Sequence, residues 1–476
     1  EVCVGISDGK PRSVSLINGV YVYSGGTHIK YLRKLICDEF KDRAAKLMKG
    51  VGARHCTTLL NNNMFIFVKC YVLSPEFTGQ IKDRLDTPIS YFSSYKLDTR
   101  KSNAIWKLLE PYVVSSFLKR NENKEKKRTV RGRVVVPKCT DARYAGHRTF
   151  WKKCSMFVCE GDSAMGTVSS AIVNKKTKMG GYDYYGVFSI GGVPVNARKE
   201  VNALTDPISK KTSLIQSNKM KNNERFSSLV KVLGLDYTKS YKTDAEYNTL
   251  RYSRIISATD QDEDGKGKIF GLLMNFVYLF WPALFDRRYV FRLNTPVIRC
   301  LPKVRGSRFI EEFYSIEDFL EWKEAKIPGD GIAEKETEFA KKYRVSYSKG
   351  LGSHAPHQIP IMFSGLEKKL LLVTKDEASG VNIEMYYGKD TSVRKTLLRR
   401  PGAERYAEKG QITVSEQLHV DVKSFMRSDI FQKLPHMMDM LTQAKRNLIY
   451  GAMKIFGKKN EEIKLDVFVN QVCSLT

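Results

Sequence analysis

The segment Ile255-Ile256-Ser257-Ala258-Thr259-Asp260-Gln261-Asp262-Glu263-Asp264-Gly265 places a short apolar strand directly before four carboxylates. Earlier in the chain, Phe157-Val158-Cys159 runs into Glu160-Gly161-Asp162 in the same way. Between residues 137 and 301, short apolar strands alternate with helical patterns, which is typical of an α/β fold with a parallel sheet. Because functional groups in open α/β sheets collect at the carboxyl ends of the strands, we expect the two acidic segments to meet there.

The acidic segment after the second strand predicts a metal site. Asp260, Asp262 and Asp264 alternate along an extended turn and should point to one side. Carboxylates this close repel one another, so they need a cation or a proton. Oxygen ligands with room for water suit Mg²⁺. An EF-hand loop is excluded, because its twelfth position must be Glu and is Gly271 here. A solvated acidic turn without metal is the simpler alternative.

The composition indicates a folded chain with a polyanionic partner. Its 476 residues carry 80 Lys+Arg against 51 Asp+Glu, a net charge of +29, and the hydrophobic fraction is 42%. These values exclude a disordered chain and disfavour an enzyme of small acidic metabolites, whereas they favour nucleic acid binding. Nine scattered cysteines without a CxxC pair predict free thiols and no zinc site. The uncharged stretch 269–285 contains Pro282 and predicts a buried core helix, so we expect no membrane contact.

Two further segments have a distinct composition. Residues 119–136 are rich in Lys and Arg and predict a linker, with nuclear import or direct DNA contact as alternatives. Residues 420–456 predict a basic helical tail whose apolar face includes Leu434, Met437 and Met438.

Several short strings, in order, resemble one enzyme family. They are Ser24-Gly25-Gly26-Thr27-His28, Gln80-Ile81-Lys82, Glu160-Gly161-Asp162-Ser163-Ala164, Asp183-Tyr184-Tyr185-Gly186-Val187-Phe188, Leu250-Arg251-Tyr252, Thr259-Asp260-Gln261-Asp262 and Lys349-Gly350-Leu351-Gly352. Each string is a weak signal, and their shared order is a strong one. The chain thereby resembles type IIA DNA topoisomerases of the eukaryotic branch, and its divergence favours a large-DNA-virus enzyme.

This resemblance implies an α/β multidomain fold. Residues 1–118 would form a transducer α+β domain, the C-terminal half of the ATPase region, followed by the basic linker 119–136. Residues 137–365 would form a Rossmann-like TOPRIM domain with a parallel sheet and insertions. Residues 366–476 would begin a helical winged-helix DNA-binding domain.

The resemblance also implies roles for individual residues. Glu160, Asp260 and Asp262 would be catalytic and would hold Mg²⁺, with Asp264 at a second metal position. Gln80 and Lys82 match the loop whose lysine reaches the γ-phosphate of ATP. Lys349 and Arg446 match positions that face DNA.

The chain departs from the family pattern at three places. Met165 and Gly191-Gly192-Val193 stand where the family usually has positive charge, and Lys266-Gly267-Lys268 makes the segment after Gly265 one residue longer. The glycine-rich ATP loop and the Arg-Tyr nucleophile are expected outside this stretch. Four Arg-Tyr pairs occur here, and we interpret all of them as structural; their tyrosines are Tyr144, Tyr252, Tyr289 and Tyr406.

The resulting functional hypothesis is a section of an ATP-dependent DNA topoisomerase that binds double-stranded DNA, holds Mg²⁺ and acts as a homodimer. It would work in the nucleus or, if viral, at replication sites in the host cytoplasm. Two alternatives stay open: a nuclease or primase-like enzyme with the same acids, and a non-catalytic basic DNA-binding scaffold.

Overall fold

The chain folds into two compact units in the computed structural model. One comprises Glu1–Val130, Lys199–Ser227 and Leu235–Lys239, and the other comprises Arg131–Arg198, Ser228–Gly234 and Ser240–Thr476. The residues described are 1–48, 52–91, 94–126, 134–210, 212–304, 311–326, 332–348, 350–353, 358–400, 406, 410–457 and 462–475. Lys349 and residues 127–133 of the basic segment lie outside this set. The four domain bounds expected from the sequence stay predictions.

Strands and helices alternate irregularly along the chain. The strands are β1 Val2–Ile6, β2 Arg12–Ile17, β3 Val20–Tyr21, β4 Met64–Cys70, β5 Cys139–Thr140, β6 Ser155–Cys159, β7 Tyr185–Ser189, β8 Val201–Thr205, β9 Thr212–Gln216, β10 Arg254–Ala258, β11 Val290–Leu293, β12 Ile298–Pro302, β13 Glu311–Phe313, β14 Tyr343–Tyr347, β15 Leu370–Thr374 and β16 Gln411–Thr413. The helices are α1 Thr27–Leu47, α2 Ala53–Asn62, α3 Thr99–Lys126, α4 Asp162–Val173, α5 Asn218–Lys221, α6 Glu224–Leu233, α7 Asp244–Tyr247, α8 Phe270–Phe280, α9 Ala283–Asp286, α10 Ile316–Lys326, α11 Ile332–Lys342, α12 Ile359–Phe363, α13 Ser379–Tyr387, α14 Thr391–Arg399, α15 Val414–Gln417, α16 Lys423–Lys433, α17 Gln443–Phe456 and α18 Leu465–Leu475.

The first unit is α+β. Its four-stranded sheet has the order β1-β4-β2-β3, and β4 pairs antiparallel with β1 and parallel with β2. Helices α1, α2 and α3 contribute Phe40, Leu60 and Phe117 to one buried apolar cluster with the β4 residue Ile66. The α+β fold expected for this region is confirmed.

The second unit contains the expected parallel sheet. Its seven strands have the order β16-β15-β11-β10-β6-β7-β5, and β7, β6, β10 and β11 run parallel. In the pairing of β6 with β10, Cys159 lies opposite Ala258. The acidic segments that follow these two residues therefore leave neighbouring strands at the same edge, as the sequence predicted.

The uncharged stretch forms a core helix. Helix α8 is mostly buried, its cap Trp281 is fully buried, and Pro282 precedes the short helix α9. Within the described ranges, no helix is long and apolar enough to cross a membrane.

The tail is helical but interrupted, and the prediction that Met437 and Met438 lie on its apolar helical face was wrong. Helix α16 ends at Lys433 and α17 begins only at Gln443, because Pro435 cannot continue a helix. Met437 and Met438 lie in the turn between them and are 81% and 82% exposed.

Candidate functional site

Glu160 and Asp260 meet at the carboxyl edge of the parallel sheet. Glu160 follows β6, and Asp260 follows β10 by one intervening residue. The loop after β7 is bound to the same edge, because the Gly192 N–H donates to the Glu160 carbonyl oxygen at 2.8 Å. Gly191 and Gly192 both have positive φ, 68° and 105°, a conformation that favours glycine. The glycines that depart from the family pattern thus shape the backbone beside Glu160.

The Glu160 carboxyl group lies in an environment that disfavours its charge. Its Oε2 is buried and has no hydrogen-bond partner among the residues that the structure describes. Burial raises the pKa of Glu160, and the nearby charges of Asp260, Asp262 and, less strongly, Asp264 raise it further. A hydrogen bond from the Asp260 backbone N–H partly offsets this shift of the pKa. The four acids therefore share one electrostatic environment.

Asp260 and Asp262 each use one oxygen to hold the local backbone. Asp260 Oδ1 accepts the Leu351 N–H at 2.9 Å, and Asp262 Oδ1 accepts the Gly265 N–H at 2.8 Å. A Cβ at Gly350 would collide with the Asp260 carboxylate, so glycine allows this close approach. Gly350 and Leu351 therefore have a structural role beside the acids. Lys349 itself, the expected DNA contact, is outside the described residues.

Asp264, expected at a second metal position, lies at the rim of this site. It is exposed and forms an ion pair with Lys268, whose Nζ lies 3.3 Å from Asp264 Oδ1. Among the described residues, no three His, Cys, Asp or Glu side chains converge as a ready-made metal site. The donor chemistry nevertheless fits Mg²⁺, since these are hard oxygen ligands and the buried Glu160 Oε2 lacks a partner.

Asp162 differs from Glu160 although only one residue separates them. Lys138 Nζ lies 2.8 Å from its Oδ2, and Ser189 Oγ donates to its Oδ1 at 3.1 Å. The Lys138 and Ser189 hydrogen bonds lower the pKa of Asp162. Asp162 is thus paired within the fold, whereas Glu160 is left with an unpartnered oxygen.

A π-helical turn spans Asp264–Ile269 and contains Lys266-Gly267-Lys268. Such turns are frequent at functional sites. Buried Gln417 Nε2 donates to the Lys266 carbonyl oxygen at 2.9 Å. Buried Arg292 donates a hydrogen bond from Nη1 to Gln417 Oε1 at 2.7 Å and is ion-paired with Asp421. Sequence reasoning missed this network; its one local signal is a charged residue, Arg292, inside the apolar strand β11.

The string Leu250-Arg251-Tyr252 has a structural role. Arg251 is 1% exposed, and its guanidinium is ion-paired with Asp141 and donates to the Val232 carbonyl oxygen at 2.5 Å. Tyr252 is also buried, donates to Asp141 and accepts the Ala142 N–H at 2.8 Å. Burial raises the pKa of the Tyr252 hydroxyl well above its ordinary value.

The candidate ATP loop belongs to the first unit and is held by the Gly25-Gly26 turn. The Ser24 N–H donates to the Asp83 carbonyl oxygen at 2.8 Å, and the Thr27 N–H donates to that of Leu85 at 3.0 Å. Lys82 is exposed in a turn with φ 57°, and its Nζ lies 5.9 Å from the Phe77 ring centroid. Gln80 is exposed beside it. These two side chains are free to face solvent on a firmly anchored loop.

Arg446, the second expected DNA contact, is engaged within the chain. Its Nε and Nη2 donate to the two carboxylate oxygens of Asp439 at 2.9 and 3.0 Å. A DNA phosphate would have to compete with this bidentate pair.

Family comparisons match two parts of the chain. Residues 1–94 match the family described as DNA gyrase B, and residues 293–432 match the C-terminal associated domain of TOPRIM. The observed folds agree with these matches: an α+β first unit, a parallel sheet in the second, and a helical C-terminal region.

Curated relatives cover nearly the whole chain. The DNA topoisomerase 2 of an African swine fever virus isolate (Pig/Kenya) is 31% identical over 471 residues, which is 96% of this chain and 37% of that protein. The DNA topoisomerase 2 of Arabidopsis thaliana is 29% identical over 489 residues, covering all of this chain and 30% of the plant protein. The chain thus spans about a third of the length of these relatives.

A solved structure shows the same fold. The DNA-binding, cleavage and re-ligation domain of Plasmodium falciparum topoisomerase II matches with a TM-score of 0.55 and 24% identity over 72% of this chain and 42% of that one. By sequence over nearly its full length, and by fold over 72% of it, this chain is similar to one segment of type II DNA topoisomerases.

Proposed function

We propose that the chain is a section of an ATP-dependent type II DNA topoisomerase that binds duplex DNA and supplies the Mg²⁺ site for transient double-strand cleavage. The observation that carries this proposal is the Glu160 carboxylate, whose buried Oε2 has no partner among the described residues, beside Asp260 and Asp262. A strongly basic chain with an isolated acidic site is suited to phosphoryl chemistry on a polyanion.

The acids have distinct roles in this proposal. Glu160, Asp260 and Asp262 hold the metal, and Asp264 serves a second position once it is released from Lys268. A bound Mg²⁺ would stabilise negative charge on the attacking and leaving oxygens. We also assign to Glu160 a proton exchange with the leaving 3′-oxygen, a role that the resemblance to the family implies.

We extend the proposal to the remaining parts and partners of the full enzyme. In this proposal the full enzyme supplies the nucleophilic tyrosine and the ATP-binding half from other segments. Gln80 and Lys82 reach ATP from the anchored loop. Two copies of the enzyme form the gate for strand passage. Arg446 contacts DNA after its release from Asp439, and Lys349 is a second DNA contact. Such an enzyme works in the nucleus or, as a viral enzyme, at replication sites in the host cytoplasm.

Asp262→Asn in the longer enzyme tests the metal assignment. We expect Mg²⁺-dependent cleavage of supercoiled DNA to collapse, while salt-sensitive DNA binding in EDTA persists. Glu263→Gln is the matched control, because exposed Glu263 pairs with Ser424 Oγ at 2.7 Å and is not among the groups that shift the pKa of Glu160. Intact relaxation by the Asp262 variant would refute the assignment, and cleavage without a covalent protein–DNA adduct would indicate a nuclease instead.

A further inference from the structure

Lys266 presents its side chain to the groove beside the acidic site. The groove has a volume of about 2140 Å³, lies within the second unit and is lined by Asp262, Lys266 and Lys423 among others. Lys266 is partly buried, and its ammonium group makes no hydrogen bond or ion pair with the residues that the structure describes. The carboxylates of Asp421, Glu317 and Asp262 act on Lys266 through their charge without a hydrogen bond to it. A partly buried ammonium group without a close partner favours an anion that can approach it directly.

The backbone around Lys266 is built to hold that position. The π-helical turn Asp264–Ile269 carries it, and the buried Gln417 side chain binds its carbonyl oxygen. At the next residue, Gly267, an added Cβ would lie 2.5 Å from the Asp421 carbonyl oxygen and from Phe425 Cβ. The turn therefore packs directly on the segment that contains Asp421 and Phe425. This packing and the hydrogen bond from Gln417 fix the backbone of Lys266.

The groove lining also carries positive charge. Helix α16 contributes Lys423 and Arg427 to the lining. Burial and the charges of Arg427 and Arg400 lower the pKa of Lys423. Acidic side chains of α10, including Glu317, line the groove as well, and the charge of Glu317 acts on Lys266. The cations of α16 and Lys266 are the groups of this lining that would attract an anion.

We propose that Lys266 binds a backbone phosphate of duplex DNA next to the acidic site and thereby positions the strand against Glu160 and Asp262. This inference rests on the proposed DNA-binding function and adds a positioning residue to it. The neighbouring Lys268 is not equivalent, because it is already paired with Asp264 at 3.3 Å.

Lys266→Met and Lys268→Met form a matched pair for the test, because each removes one charge from the same turn. Binding of a short fluorescent duplex to the full 476-residue chain is measured by anisotropy in EDTA over a range of salt concentrations. We expect Lys266→Met to weaken binding about tenfold and to reduce the salt slope by about one. Lys268→Met should cause a clearly smaller loss, and Lys266→Arg should restore binding. Equal losses in the two Met variants would overturn the proposal.

A thermodynamic cycle with modified DNA separates a direct contact from a folding defect. Duplexes with one neutral methylphosphonate, placed in turn at each position, should show one position that weakens wild-type binding but has no further effect on Lys266→Met. Additive losses at every position would overturn the contact. Failure of the wild-type chain to bind duplex DNA would overturn the proposed function as well, whereas normal binding with an unaffected Lys266 variant would overturn only this inference.

Discussion

Neutralising Glu160 should stabilise the metal-free fold. Glu160→Gln keeps the side-chain shape and removes a charge that burial and three nearby aspartates disfavour. A fully buried, unsatisfied polar group costs about 1–3 kcal/mol, and for the half-buried Glu160 we expect a gain of about 1 kcal/mol in the free energy of unfolding. The gain is measured by urea denaturation at low ionic strength without divalent ions.

The pH dependence of this gain has a definite sign. Since the pKa of Glu160 is raised in the folded chain, the folded chain binds this proton more tightly than the unfolded chain does. The stability that this proton contributes to the wild type is therefore fully present below the pKa of Glu160 in the unfolded chain. It is lost as the pH rises through the pKa of Glu160 in the folded chain. The gain in the free energy of unfolding from Glu160→Gln should be largest at pH values above both of these pKa values. It should vanish at acid pH. An advantage that is absent at neutral pH, or that grows on acidification, would refute the reasoning.

Mg²⁺ should reverse the order of stability. At tenfold excess over its Kd, a ligand that binds only the folded state adds about 1.4 kcal/mol. We expect this gain for wild type and for the control Glu263→Gln, and none for Glu160→Gln. An equal Mg²⁺ effect on all three proteins would show that the ion binds elsewhere.

Three further substitutions, one of them with a matched control, test how the fold is held together. Arg251→Met breaks the buried ion pair with Asp141 and should cost about 3–5 kcal/mol in urea unfolding; a loss below 1 kcal/mol would show that the pair is dispensable. Gly267→Ala forces Cβ against Asp421 and Phe425 and should cost about 1–3 kcal/mol. As a matched control, exposed Gly166→Ala in α4, which has open space, should stabilise by up to about 1 kcal/mol. Gly26→Ala, at φ 146° against the Leu85 backbone, should speed hydrogen exchange in residues 76–87; unchanged exchange would show that this turn does not anchor the loop.

Much of the sheet and the place of the acids could be predicted from the sequence. Apolar strands followed by Glu160 and Asp260 indicate a parallel sheet with both acids at one edge, and β6 does pair with β10. The local periodicity of the sequence predicts this arrangement, because a chain of alternating strands and helices can form only a few sheet topologies.

The partners of these acids could not be predicted, since they come from distant parts of the chain. Lys138 pairs with Asp162 across 24 positions, Leu351 binds Asp260 across 91, and Gln417 supports Lys266 across 151. No local pattern encodes such contacts. Pro435 was visible in the sequence, but the spacing of the apolar residues around it placed Met437 and Met438 on a helical face.

The central claim is that Glu160, Asp260 and Asp262 form a divalent-cation site. Isothermal titration of Mg²⁺, with Mn²⁺ as a second probe, into the wild-type chain and into Asp262→Asn tests this claim without any catalytic step. We predict saturable binding to wild type that is lost in Asp262→Asn and retained in Glu263→Gln. Equal affinity in wild type and Asp262→Asn would contradict the account.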